Sequence, residues 1–165
     1  MHNDNHDISY SDLLTHHPQA IAKIRGSAAH PTVSGMTRFY QTTRGVLVVT
    51  EMMGLLKSNG RCNSPIFGFH IHDGDSCTGN ANDPFKNTGT HFNPHACPHP
   101  YHAGDLPPIF GANGMAFSAV LTDRFTVNEI LGKTIVLHDA PDDFKTQPAG
   151  NSGTKIACGM IMRYK

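Results

Sequence analysis

This chain has no excess of charge of either sign, since thirteen Lys and Arg balance thirteen Asp and Glu. A nucleic acid or membrane surface held by bulk charge is therefore not expected, and any electrostatic attraction has to be local. Long apolar runs are missing too. Apolar residues make up 38% of the sequence, scattered in runs far short of the roughly 18 consecutive residues that a membrane span needs. The opening MHNDNHDISYSDLLTHHPQA has no apolar h-region, so the chain as written reads as soluble and cytoplasmic; a signal removed beforehand would make it extracytoplasmic. There is no internal repeat, and no stretch keeps a helical period for three turns. Tryptophan is absent altogether, whereas histidine occurs twelve times, and the crowding of seven of them between His70 and His138 points to metal.

What is present instead of helical periodicity is alternation. In AIAKIRGSA, Ala20, Ala22 and Ile24 fall on one face and Ile21, Lys23 and Arg25 on the other, as in a strand of period two. TRFYQTT, GVLVVTEM, IFGFHIH, GMAFSAVLT, KTIVLHD and KIACGMIMRY repeat the theme between Gly, Pro, Asn and Asp. Several short strands separated by turn signals predict an all-β sandwich or barrel. One domain suits 165 residues. Residues 1–19 read as a polar extension with a short helical turn at SYSDLL, and residues 20–165 as the domain. Two strand-poor segments, Asp73 to Phe110 and Asp139 to Thr154, are long enough to be functional loops.

Strand periodicity points His70 and His72 to one side and Phe69 and Ile71 to the other, so that one face packs and the other is free to coordinate. A His-x-His pair alone also occurs on solvated strand faces. Downstream, THFNPHACPHPYHAGDL crowds His91, His95, His99, His102 and Asp105 together. Imidazoles with one carboxylate suit zinc. The even spacing of His99, His102 and Asp105 lets a turning loop gather them round one ion. His138 supplies another imidazole from the end of an apolar strand.

These blocks, GFHIH, GTHFNP, HAGDL with the preceding His99, VLHDAPDD and GNSGTKIACG, resemble the copper/zinc superoxide dismutases, and more closely their bacterial type. The resemblance runs from about Ala20 to the C-terminus. It implies an eight-stranded Greek-key β-barrel with copper on His70, His72, His91 and His138, and zinc on His91, His99, His102 and Asp105. His91 would bridge the two ions as an imidazolate. Asp142 would hydrogen-bond a ligand of each metal, and Cys77 would pair with Cys158. In the chain-entropy picture such a disulfide contributes about 4 kcal/mol, although in a reducing cytosol both would stay thiols. The implied activity is the disproportionation of superoxide to oxygen and hydrogen peroxide, with His91 as both ligand and proton carrier.

Several positions depart from the family pattern. Lys155 stands where the family places an arginine to draw in and orient the anion; it keeps the charge without the planar fork, so retained activity with reduced efficiency is expected. The stretch from Cys77 to His91 is longer than in eukaryotic members. Cys62 and Cys97 have no counterpart and are open to being free, paired with each other or, for Cys97, close to the metals. His95 matches no ligand and reads as a surface residue. His2, His6, His16 and His17 form a tail that either captures copper or is merely solvated. The resemblance fixes neither a homodimer nor a monomer. Two other classes compete: a non-catalytic copper-binding or delivery protein on the same fold, and a zinc hydrolase. The second needs an open zinc position that four protein ligands would close.

Overall fold

The structure is a computed structural model that describes residues 9–58, 60, 62 and 65–165. His2 and His6 lie outside the described residues. Strand β1 (Ala20–Gly26) buries Ala20, Ala22 and Ile24 while Lys23 and Arg25 face solvent, as its alternation predicts. It pairs with β2 (Ser34–Thr42), which turns at Thr43 and Arg44 into β3 (Gly45–Met53). Next come β4 (Ile66–Phe67), β5 (Phe69–His72), β6 (Ile109–Phe110), β7 (Met115–Thr122), β8 (Thr134–His138) and β9 (Lys155–Arg163).

Seven of the strands form one antiparallel sheet in the order β5-β8-β9-β1-β2-β3-β7. The remaining two pair with each other and draw the ends together. β4 runs straight into β5, and its partner β6 reaches β7 across the tight Ala112–Met115 turn. The sheet thereby curls into a barrel around apolar side chains that include Ile24, Phe39, Phe67, Ile71, Leu137 and Ile161, each at most 1% exposed. Burying each such side chain contributes about 1.5–3 kcal/mol.

The barrel differs from the expected eight strands at Gly68. The Gly68 N–H donates to the Ala140 carbonyl at 2.7 Å, and its own carbonyl accepts from the His138 N–H at 2.8 Å. The strand expected over IFGFHIH is therefore split into β4 and β5, giving nine among the described residues. Two short elements, one of them among these nine strands, fall where the alternation marks no strand. β6 is only two residues long, too short for alternation to register. Helix α2 (Val127–Ile130) is a single turn, announced only by Thr126-x-x-Glu129, a capping-box spacing. There the Thr126 N–H and hydroxyl both donate to Glu129 Oε2, at 2.7 and 2.8 Å.

The short turn expected in SYSDLL is helix α1 (Tyr10–Leu13). Leu13 packs on Tyr40, Leu47 and Val49, on the outside of β2 and β3. No helix among the described residues is long and apolar enough to cross a membrane.

Candidate metal centre

The site is assembled where the two long loops fold over β5 and the end of β8. All four residues of β5 are buried: Phe69 and Ile71 face the core, whereas His70 and His72 lie under the loops. Residues 91–105 run back along the strand, with the Phe92 N–H donating to the Ile71 carbonyl and the Ile71 N–H donating to the Gly104 carbonyl. Asp105 is thereby set beside His70, and His91 beside His72. A Cβ at Gly104 would collide with the Ile71 carbonyl oxygen, so only glycine permits this approach. β8 contributes His138 at a register shift after Leu137, and such irregularities re-aim a side chain at the end of a strand.

Two groups of donors result. The donor atoms of His70, His72, His91 and His138 lie within 4.8 Å of one another, as do those of His91, His99, His102 and Asp105. His91 belongs to both. Every one of these residues is at most 8% exposed.

Hydrogen bonds fix which ring nitrogen each imidazole leaves free. Asp142 Oδ2 accepts from His70 Nε2 at 2.7 Å, and Asp142 Oδ1 accepts from His99 Nε2 at 3.0 Å. One carboxylate thus orients a histidine of each group and turns both Nδ1 atoms inward. His72 Nδ1 donates to the Gly89 carbonyl at 3.0 Å, and His138 Nδ1 faces the Gly153 carbonyl at 3.5 Å. Their Nε2 atoms, both then bare lone pairs, confront each other at 3.3 Å.

Two acceptors at that separation repel unless a cation lies between them. For tetrahedral ligands at 2.0–2.1 Å from an ion, the nitrogens would sit roughly 3.3 Å apart. His70 Nδ1, His91 Nε2, His99 Nδ1 and His102 Nδ1 are likewise buried without a hydrogen-bond partner. His99 Nδ1 and His102 Nδ1 approach Asp105 oxygens at 3.0 and 3.3 Å without hydrogen-bond alignment, as ligands of one ion would. Orphaned polar atoms this deep are costly, and copper and zinc fit the donors present.

The electrostatics agree. Burial holds the imidazoles of His70 and His72 below the ordinary histidine value, His72 well below, and lowers His138 to about 3. Burial thus favours the neutral, ligating form of all three. Burial alone would raise the carboxyls of Asp105 and Asp142. Hydrogen bonds outweigh it: His91 bonds Asp105, while His70, the Phe144 N–H and His99 bond Asp142, so both stay below the usual carboxylate range. Gly150, at φ +67°, lets the second loop close on Asp142, since a Cβ there would strike Asp142 Oδ1.

A cleft of about 350 Å³ opens onto His72, His91, His102 and His138, with Asn93 and Lys155 in its walls. A larger one, about 610 Å³, lies over β1 and β9, away from the histidines. Cys77 and Cys158 form a disulfide with Cα atoms 5.6 Å apart, tying the first loop to β9. Cys62 and Cys97 are free thiols, not paired with each other, and neither they nor His95 joins a donor group. In the tail, His16 Nδ1 lies 2.9 Å from the Asp12 carbonyl, and His17 stacks on Tyr164.

Three residues around the site gave no signal in the sequence. Gln147 brackets His99, its Oε1 accepting from the His99 N–H at 3.0 Å and its Nε2 donating to the His99 carbonyl at 2.7 Å. Arg124 Nη1 donates to the carbonyls of Pro100, His102 and Asp105 at 2.9, 3.3 and 3.2 Å. Asp83 pairs with Lys155 at 3.1 Å.

An antiparallel barrel whose loops bury two donor groups around one shared imidazole defines a dinuclear metalloprotein. Residues 33–161 match the family model for copper/zinc superoxide dismutase, and the chain belongs to that family. It is 34% identical over 144 residues to "Superoxide dismutase [Cu-Zn] 2" of Aquifex aeolicus, covering 78% of this chain and 79% of the relative. To "Superoxide dismutase [Cu-Zn]" of Photobacterium leiognathi it is 32% identical over 141 residues, 77% of this chain and 78% of the relative. The protein of that name from Onchocerca volvulus is 33% identical over 164 residues, 86% of this chain and 94% of the relative.

Proposed function

We propose that this chain is a superoxide dismutase, converting two superoxide anions and two protons into oxygen and hydrogen peroxide. The observation that carries the reading is His91. Its Nδ1 lies 2.6 Å from Asp105 Oδ1 in one donor group, while its Nε2 is buried and unpartnered toward the other. A single imidazole between two cation positions links a proton site to a redox site.

His70, His72, His91 and His138 would hold copper, since an all-imidazole set bordering an open cleft suits an ion that changes oxidation state. His91, His99, His102 and Asp105 would hold zinc, which a closed set of three imidazoles and a carboxylate suits. When bound, copper supplies the one-electron chemistry, oxidising one superoxide and reducing the next, beside a redox-inert zinc. The protein's own share is placement. His91 Nε2 is the atom positioned to take up a proton and pass it on, having no other protein partner. Asp142 keeps the rings of His70 and His99 in the ligating tautomer. Lys155 gives the cleft wall the positive charge that orients a small anion. Residues 20–165 would make up the catalytic domain, with residues 1–19 as an extension. A copper-carrying module would be expected to lack a donor or the cleft cation, and here each position is filled.

The test is metal analysis of freshly purified protein with a dismutation assay before and after copper addition. Near-equal copper and zinc with high activity is expected. Zinc alone, with no gain on adding copper, would overturn the reading.

A further inference from the structure

Among the residues lining the cleft over His72, His91 and His138, Lys155 alone carries a permanent charge. That charge is tied down. Lys155 Nζ donates to Asp83 Oδ2 at 3.1 Å and to the Phe85 carbonyl at 3.2 Å. The two charged side chains are 16% and 38% exposed, so water screens the pair only in part.

Asp83 is itself held firmly. Its Oδ1 accepts from the Phe85 N–H at 3.0 Å, and its N–H donates to Asn80 Oδ1 at 2.9 Å. Its carbonyl accepts from the Asn80 and Lys86 N–H groups. Phe85 is buried with Val136 and Cys158, which anchors the turn to the barrel wall beside the disulfide. The loop between Cys77 and His91 therefore delivers a carboxylate to a fixed point.

An ammonium and a carboxylate at this separation cancel at long range, so an anion approaching from solvent meets a dipole rather than a cation. Inside the cleft, the nearer ammonium dominates. We propose that Asp83 is a positioning residue for the dismutation: it anchors the Lys155 ammonium at the cleft wall and cancels its distant pull. Lys155 then orients superoxide at short range without drawing it from solvent. The inference rests on the reading of Lys155 as the cation that orients superoxide.

Two substitutions separate charge from anchoring. Asp83→Asn keeps an oxygen for the ammonium and removes the charge, whereas Asp83→Ala removes both. In the copper- and zinc-loaded protein, kcat/KM of Asp83→Asn at low ionic strength should exceed wild type about two- to fourfold, the effect of one elementary charge several Å from the path of an anion. The gain should shrink as salt is added, and Asp83→Ala should stay below Asp83→Asn at every ionic strength.

An independent readout is acylation of the Lys155 amine by acetic anhydride, followed by peptide mass spectrometry on the same loaded proteins. It should run several-fold faster in Asp83→Ala than in wild type. A wild-type rate and salt profile in Asp83→Asn, or equal acylation of Lys155 in wild type and Asp83→Ala, overturns the proposal. Should Asp83→Ala fail to fold because Phe85 loses its anchor, the salt series of Asp83→Asn decides. A wild type inactive with both metals bound would instead sink the dismutase reading, and the acylation comparison would then decide the anchoring role by itself.

Discussion

His70, His72 and His138 stand on strands whose neighbours are fixed residue by residue through backbone pairing of β5 with β8 and of β8 with β9. His99 and His102 stand on a loop with no strand pairing of their own, and side chains reaching in from elsewhere place them; Asp105, at the end of that loop, is set beside His70 by one isolated backbone bridge. Gln147 brackets His99, Arg124 gathers three carbonyls, and Asp142 holds the His99 ring. A donor group on strands takes its geometry from the sheet, whereas a donor group on a loop needs a surrounding shell of hydrogen bonds. The two groups should respond differently when that shell is cut, and alike when a shared residue is removed.

The largest effect is expected from the residue the two groups have in common. His91→Ala should lower kcat/KM by about 10²- to 10⁴-fold and weaken retention of both metals, measured by dismutation assay and metal analysis after dialysis. Full retention of copper and zinc would show that the groups are independent.

Asp142→Asn comes next, because it reaches both groups from outside and keeps the shape of the side chain while losing its charge. An amide cannot accept on both arms, so affinity for each metal should fall about 10- to 100-fold in competition with a chelator. A loss confined to one metal would break the symmetry drawn from the two Asp142 contacts.

Arg124→Lys should separate the groups. The ammonium cannot span three carbonyls as the guanidinium does, so zinc should be released about tenfold faster while copper retention stays as in wild type. Equal acceleration for both metals would mean that the loop and the strands form one unit.

The smallest effect concerns the metal-free protein. His138 is lowered from 6.5 to about 3, so between those values the unfolded chain binds more protons at this residue than the folded one. Its contribution to stability is therefore complete above pH 6.5 and is lost as pH falls toward 3. His70 and His72 are lowered as well and act in the same direction. Thermal unfolding of metal-free protein should show Tm decreasing across this range, and His138→Gln should flatten the slope. An unchanged slope would remove burial of His138 as its cause.

Much of the fold is legible because strand alternation is a local property. Ala20, Ala22 and Ile24 turn inward as their spacing requires, and β2, β3, β7, β8 and β9 fall on the segments that alternation marks. β6 and α2 are shorter than the window in which a period can be recognised. The break at Gly68 depends on Ala140 and His138, which no local pattern links to it.

The donor residues are legible for a different reason. Histidine at this density is rare in a solvated loop, so His91, His99, His102 and Asp105 stand out before any geometry is known. Arg124, Gln147 and Asp83 do not stand out. An arginine, a glutamine or an aspartate in a loop is ordinary, and each acquires its role from a partner far away in the chain.

By itself, then, the amino-acid sequence determined the inward and outward faces of the strands and the chemical identity of the donors, because side-chain type and spacing act over a few residues. The tertiary structure supplies the contacts by which His91 joins both groups and Asp142 orients one ring in each, as the resemblance implies, and it alone decided that Lys155 meets Asp83. Those are contacts between segments brought together by barrel closure. Their distances follow from packing and strand register, which no stretch of sequence carries on its own.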